Sequence, residues 1–384
     1  MKNLFSLFTT CLIALTASSQ IQPVAVLQPG VAIAPENPRK IQIAILFDTS
    51  GSMDGLIEQA KTTIWQIVNA ASDLRIGDAA PLLEIALYDY RNSTIANATY
   101  VRQHVNLIND LDSISGKLFA LSINGGDEYC AAVIEDALAN LQWSTDPNDL
   151  KIIYIAGNEP FNQGPVDYKK ILKDAANRNI IVNTIYCGPY DQGVTELWYD
   201  GALVSQGNYF NIDSDREAFH VDTPYDKEIN SYNDSLNTTY MGYGESGKYR
   251  AQKQTEEDSN AGKKGAGVAS ERAESKAKSN YKNSSWDLVD AKKENTLKLE
   301  ELKDEDLPDD LKGKTLEEKE KIIAEKSEER ARYQATINEL AQKRSEFINE
   351  EKKKHALESG QEDLGTSIIK SMNTSAEKMG YKIK

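Results

Sequence analysis

The sequence has 384 residues, with 44 Lys and Arg against 59 Asp and Glu, for a formal net charge of −15. That acidic excess excludes a nucleic-acid-binding surface, which needs clustered cations to displace counterions from phosphates. The length admits one large α/β domain and a second region.

Residues 1–19 carry a single Lys2, an apolar run from Leu4 to Ala17, and Ala17-Ser18-Ser19 before Gln20. This pattern predicts a secretory signal peptide, because the run is shorter than the roughly 20 apolar residues of a membrane-spanning helix. The protein is therefore expected to be exported, to the periplasm, the cell envelope or the medium, with no transmembrane span in the mature chain. Cys11 would leave with the peptide. Residues 20–38 hold four prolines without helical or strand period and predict an extended leader.

From Arg39 onward, apolar runs of strand length alternate with amphipathic stretches of helical length, the signature of a mostly parallel sheet covered by helices. Strands are predicted at Ile41–Phe47, Leu83–Tyr90, Lys151–Ala156, Ile180–Cys187 and Asn208–Ile212, with Tyr100–Leu107 as an edge strand. Helices are predicted at Met53–Ser72, Leu111–Leu121, Glu128–Gln142, Val166–Arg178, Thr195–Ser205 and, across the domain's end, Pro224–Tyr240 within an extension spanning 223–243. Runs such as Ile152-Ile-Tyr-Ile-Ala156 are almost continuously apolar, as strands buried on both faces must be.

Residues 244–285 contain almost no large apolar side chain, and their Lys, Glu, Ser, Gly and Ala predict a flexible linker. A charged helical region then covers 286–356, with helices at Trp286–Leu302 and Leu316–His355, and a tail occupies 357–384. On the longer helix Leu316, Ile323, Tyr333, Ile337, Leu340 and Phe347 fall near heptad spacing, while Lys326, Arg344 and Glu351 interrupt the seam. It reads either as a self-association element of coiled-coil type or as a solvated charged helix with one thin apolar stripe.

The first strand ends in Asp48-Thr49-Ser50-Gly51-Ser52 and leads straight into a helix. Open α/β sheets bind ligands beyond the carboxyl ends of their strands, and D-x-S-x-S puts one carboxylate and two hydroxyls there. Oxygen donors with few carboxylates suit Mg²⁺, or Mn²⁺ or Ca²⁺, and leave the ion able to take an acidic group from a partner. Taken alone, the same residues also suit a helix N-cap.

The pattern resembles the metal-ion-dependent adhesion site of von Willebrand factor type A domains, and the resemblance covers residues 39–222. It implies a doubly wound, mostly parallel three-layer α/β sandwich with a rim metal, and a protein ligand that offers an exposed acidic residue. In that family a second loop, commonly Gly-Gly-Thr, adds a hydroxyl; here Gly125-Gly126-Asp127-Glu128 stands in its place. A third element, a strand ending in Asp, corresponds to Lys151–Ala156 followed by Gly157-Asn158-Glu159. Asp127 thus replaces a hydroxyl and Asn158 a carboxylate, which leaves the carboxylate count at two. The implied metal set is Asp48, Ser50, Ser52, Asp127 and Asn158. The topology would also bring Cys130 and Cys187 to the same rim, as a candidate disulfide or as two buried thiols. Tyr129, Phe161 and Tyr190 lie in loops around the rim, as recognition residues or as loop packing, while Asp54 and Glu128 suit helix N-termini.

Nothing in the sequence specifies catalysis. His104, His220 and His355 stand in no metal-ligand spacing, and no glycine-rich phosphate loop carries a lysine. The expected function is an exported, non-enzymatic, metal-dependent binding module. The alternative is a scaffold protein of the cell envelope with a vestigial metal site and helix-mediated contacts.

Overall fold

The computed structural model describes residues 38–90, 99–123, 129–212, 221–355 and 364–384, without the side chains of 52 and 352–355. The expected signal peptide, nearly all of the leader, Asp127, Glu128 and His220 lie outside the described residues.

The chain runs β1 (Lys40–Asp48), α1 (Asp54–Ser72), β2 (Leu74–Arg75), β3 (Leu82–Tyr90), β4 (Val101–Ile108), α2 (Leu111–Phe119), α3 (Cys130–Asn140) and β5 (Leu150–Gly157). It continues with α4 (Tyr168–Asn177), β6 (Ile180–Cys187), α5 (Tyr190–Thr195), α6 (Trp198–Val204), β7 (Tyr209–Ile212) and α7 (Asp226–Asn237). The remaining elements are α8 (Gly244–Lys263), α9 (Ala266–Ala277), α10 (Leu288–Lys293), α11 (Leu316–His355), α12 (Leu364–Lys378) and β8 (Lys382–Ile383).

Six strands form one sheet in the order β4-β3-β1-β5-β6-β7, parallel except for β4, which pairs antiparallel at the edge. The crossovers step outward from β1 in both directions, which makes the sheet doubly wound and places a topological switch beside β1. Along β1 the side chains alternate between two cores. Ile41, Ile43, Ile45 and Phe47 enter one, with α1 and α2, while Ala44 and Leu46 enter the other, with α3, α4 and Trp198 of α6. The expected helix at Thr195–Ser205 is α6, which starts three residues later because Leu197 takes a left-handed φ of 68°, and the short α5 precedes it.

Three expectations about the C-terminal half require correction. First, residues 244–285 are not a flexible linker: they form α8 and α9, which bury Gln254, Glu257, Arg272 and Lys276. Their polarity is satisfied in pairs, with Arg272 bonded to Asp112 and Asp258, and Lys276 bonded to Asp258. Composition alone does not reveal such pairing, although the Ala, Lys and Glu content favours helix. Second, Trp286–Leu302 is not one helix but α10 followed by a short 3₁₀ turn at Leu299–Glu301.

Third, residues 357–384 are not a mere tail. Leu364, Ile368, Met372 and Ala376 of α12 lie in the first core, and the Tyr154 hydroxyl of β5 donates to the Ile368 carbonyl at 3.1 Å. Helix α12 therefore completes a helical layer of the sandwich, and β8 pairs with β2 beside it. Residues 37–384 cluster as one unit, so the C-terminal helices are part of the body that carries the sheet.

Helix α11 matches its predicted span, yet its apolar stripe is consumed within the chain. Ile323 packs with Met241 and Leu288, and Ile337 and Leu340 pack with Ile229, Leu236 and Ala273. Arg344, at an expected seam position, is buried against Asp226 and Glu271. Arg330 is buried against Asp287 and Asp290 and lies 4.1 Å from the centre of the Tyr240 ring. These contacts use the middle of that stripe within the chain, while Leu316 at its start remains exposed. Among the described residues, no helix is long and apolar enough to cross a membrane.

Candidate functional site at the tip of strand β1

Asp48 is the last residue of β1, and the chain turns immediately beyond it into a 3₁₀ turn at Gly51–Met53 and then α1. Asp48 and Thr49 are fully buried, and Ser50 is nearly so. A buried carboxylate requires compensation, and the turn supplies some of it. The Ser50 N–H donates to Asp48 Oδ1 at 2.7 Å, and the Ser50 hydroxyl to Oδ2 at 3.2 Å. Ser50 is the N-cap residue of the 3₁₀ turn, yet its side chain makes no capping bond there. Its hydroxyl is turned toward the Asp48 carboxylate instead.

The neighbouring strands fix this tip. The register Phe47↔Ala156 continues to place Gly157 beside Asp48 and Asn158 one residue beyond. Gly157 is required by close approach, since a Cβ there would lie 2.7 Å from the Tyr90 hydroxyl and 3.1 Å from Trp198. On the other side Tyr90 pairs with Asp48 in register and donates its hydroxyl to the Ala156 carbonyl at 2.9 Å. Burial raises the Tyr90 phenol far above its ordinary value, with Cys130 and the Asp48 charge adding to the shift. Cys187 is pushed up by burial and then by Asp48. Both groups therefore stay protonated at neutral pH, and neither is poised as a nucleophile.

Of the expected metal set, the structure brings Asp48 and Ser50 together and sets Asn158 at the adjacent strand end, while Asp127 and the Ser52 side chain lie outside the described residues. Among the described residues, no group of three or more His, Cys, Asp or Glu is arranged to hold a metal ion. A carboxylate and a hydroxyl 3.2 Å apart at a strand tip are oxygen donors of the kind a hard divalent cation takes.

The candidate disulfide is corrected: Cys130 and Cys187 are buried thiols that no disulfide joins. The sheet separates them. Cys130 opens α3 in one core, and Cys187, at the end of β6, faces the other. Of the loop aromatics, Phe161 is fully buried edge-on to Trp198 and Tyr168, which is packing, while Tyr190 is half-exposed against Tyr209.

One residue of this rim was missed by the sequence analysis. Asp89, next to the end of β3, is fully buried; Arg102 donates to it from Nε at 3.0 Å and from Nη2 at 2.5 Å, and His104 Nε2 lies 2.9 Å away. The Thr49 hydroxyl also donates to it at 3.4 Å. Burial opposes ionisation of Asp89, yet His104 and Arg102 hold its carboxyl below the ordinary value. The signal was present as an acid inside an apolar strand, followed by an arginine and a histidine at period two on the antiparallel neighbour.

A doubly wound sheet whose central strand ends in Asp-Thr-Ser-Gly-Ser, with one antiparallel edge strand and helices on both faces, has the architecture expected from the resemblance to von Willebrand factor type A domains. No protein-family model and no curated protein matches the sequence. Among solved structures, the chain is similar to BatB, a conserved hypothetical protein from Bacteroides thetaiotaomicron, at TM-score 0.35 and 14% identity over 45% of this chain and 90% of that one. It is similar to a von Willebrand factor type A protein from Catenulispora acidiphila at TM-score 0.34 and 16% identity, over 45% of this chain and 39% of that one. A third is proximal thread matrix protein 1 from the mussel byssus, with a zinc-occupied adhesion motif, at TM-score 0.34 and 13% identity over 47% of this chain. This chain spans 43% of the mussel protein's length.

Proposed function

We propose that this chain is an exported, non-catalytic binding module that uses a divalent cation at the tip of β1 to take an acidic side chain from a protein partner. The observation that carries it is the Asp48 carboxylate and Ser50 hydroxyl facing each other beside the end of β5. Asp48 and Ser50 would hold the ion together with Ser52 and Asp127, and Asn158 would orient a ligand or a water by its amide. A bound cation would supply an electrophilic acceptor for a partner's carboxylate. The protonated Tyr90 and Cys187 around it offer no activated nucleophile, in keeping with binding rather than turnover.

Calorimetric titration of the full chain with Mg²⁺, Mn²⁺ and Ca²⁺ tests this reading. Binding of at least one ion to the wild-type protein, weakened tenfold or more in a folded Asp48→Ala variant, is expected. Equal heats from the two proteins, or none from either, would remove the metal from the account.

A second reading, a cell-envelope scaffold with an inert strand tip, draws on the 40-residue α11 and its exposed, charged outer side. Partner contacts that survive EDTA but vanish on charge reversal along that side would favour it.

A further inference from the structure

A cleft of about 250 Å³ opens between α2 and α8 and shares no residue with the tip of β1. Three of its lining residues, Asp110, Ser113 and Arg250, meet at one guanidinium. Arg250 Nη1 is bonded to the Asp110 carboxylate and donates to the Ser113 hydroxyl at 3.2 Å. Nε and Nη2 form the other edge of the group, with two parallel N–H bonds. They donate to nothing among the described residues, yet neither belongs to the buried polar atoms left without a partner. That edge is therefore open to solvent, on a side chain 38% exposed. Anchored by one nitrogen and open along the opposite edge, the guanidinium is pre-oriented to take a carboxylate through two hydrogen bonds.

The charges around the cleft favour an anion. Both of its carboxylates are answered from within the protein. Asp110 accepts from the Ser113 backbone and hydroxyl as well as from Arg250, and Asp112 is bonded to Arg272 and to the Tyr281 hydroxyl. Lys253 is bonded to Glu256 at 2.6 Å. Lys117, exposed on the α2 wall, forms no ion pair among the described residues, so its charge is the surplus that a ligand meets.

The rest of the lining is flat and apolar. The Tyr249 ring is 59% exposed, Trp286 adds a second aromatic surface, and Gly116 and Ala120 keep the α2 wall low. The volume is that of about eight water molecules, room for a single ring with a short acidic arm. We propose that this cleft binds a small aromatic carboxylate, with the acid on the Nε–Nη2 edge of Arg250, Lys117 supporting the charge and the ring against Tyr249. The site needs no metal, which separates it from the tip of β1.

The test is calorimetric titration of the full chain with phenylacetate, in EDTA so that no cation at β1 can take the acid. The controls are 2-phenylethanol, which lacks the charge, and acetate, which lacks the ring. Saturable binding of phenylacetate is expected, with both controls weaker by roughly tenfold or more. Arg250→Lys keeps a cation beside Asp110 but removes the forked edge, and should cost roughly tenfold in affinity. Lys117→Ala breaks no ion pair and should cost about threefold, while Tyr249→Ala should bring phenylacetate down to the level of acetate. No saturable phenylacetate binding, or unchanged affinity in folded Arg250→Lys or Lys117→Ala protein, would overturn the proposal. Equal binding of 2-phenylethanol would overturn it by showing an apolar slot, and equal binding of acetate by showing a general anion site.

Discussion

At the level of single residues, the rim of the sheet contains two buried acids with different neighbours. Asp89 is surrounded by Arg102, His104 and the Thr49 hydroxyl, whereas Asp48 is held by the turn that follows it. Asp89→Ala should cost about 1–3 kcal/mol in urea unfolding, because the paired carboxylate that Arg102 and the Thr49 hydroxyl bond to, and that His104 faces, is removed from a buried site. Since the folded carboxyl of Asp89 sits below its unfolded value, its contribution is fully present above about pH 4 and fades as acid protonates the native state. The wild-type and Asp89→Ala stabilities should therefore converge as the pH falls from about 4 to the point of acid unfolding. A constant gap down to that pH would show that the loss is one of packing rather than of charge. Sequence inspection finds the Asp48 cluster because its donors are adjacent in the chain. It misses Asp89 because its partners come from another strand, and only register brings them together.

Secondary elements were legible to different degrees, for reasons rooted in what each one buries. Strands β1, β5 and β6 bury apolar side chains on both faces, and their runs of Ile and Tyr leave no ambiguity about type. Helix α9 buries charge instead: Arg272 and Lys276 are almost inaccessible, and their partners Asp112 and Asp258 belong to α2 and α8. Its hydropathy is that of a solvated linker, although its environment is that of a core helix. Limited trypsin digestion separates the two descriptions. The lysines and arginines between 248 and 278 should resist cleavage under native conditions, with α8 and α9 cut no faster than the sheet strands. Early release of fragments ending in that interval would restore the linker.

For the molecule as a whole, the boundary drawn at residue 222 does not enclose a complete sandwich. Helix α12 contributes Leu364, Ile368, Met372 and Ala376 to the core shared by β1, β3 and β5. Large apolar side chains buried this fully are each worth about 1.5–3 kcal/mol, so ending the chain at residue 363 should abolish cooperative folding; a truncated protein with a wild-type thermal transition would contradict this. For the same reason, deleting everything after residue 243 is not a clean test of what the C-terminal helices contact. The type A fold could be recognised from residues 39–222 because its strands and tip motif are contiguous. Its closing helix could not, since 365–377 lacks a marker that ties it to a sheet formed so much earlier.

That closing arrangement also sets the order in which the protein can mature. Tyr154 meets Ile368 across 214 residues of chain, and long loops of this kind slow the search for native contacts. The helical layer begun by α1 and α2 on one side of the sheet keeps a gap until the distal helix has arrived. A nascent chain therefore passes through a stage that chaperones can bind and aggregation can claim. Interrupted synthesis would yield an adhesive, incompletely covered sheet rather than a smaller working domain.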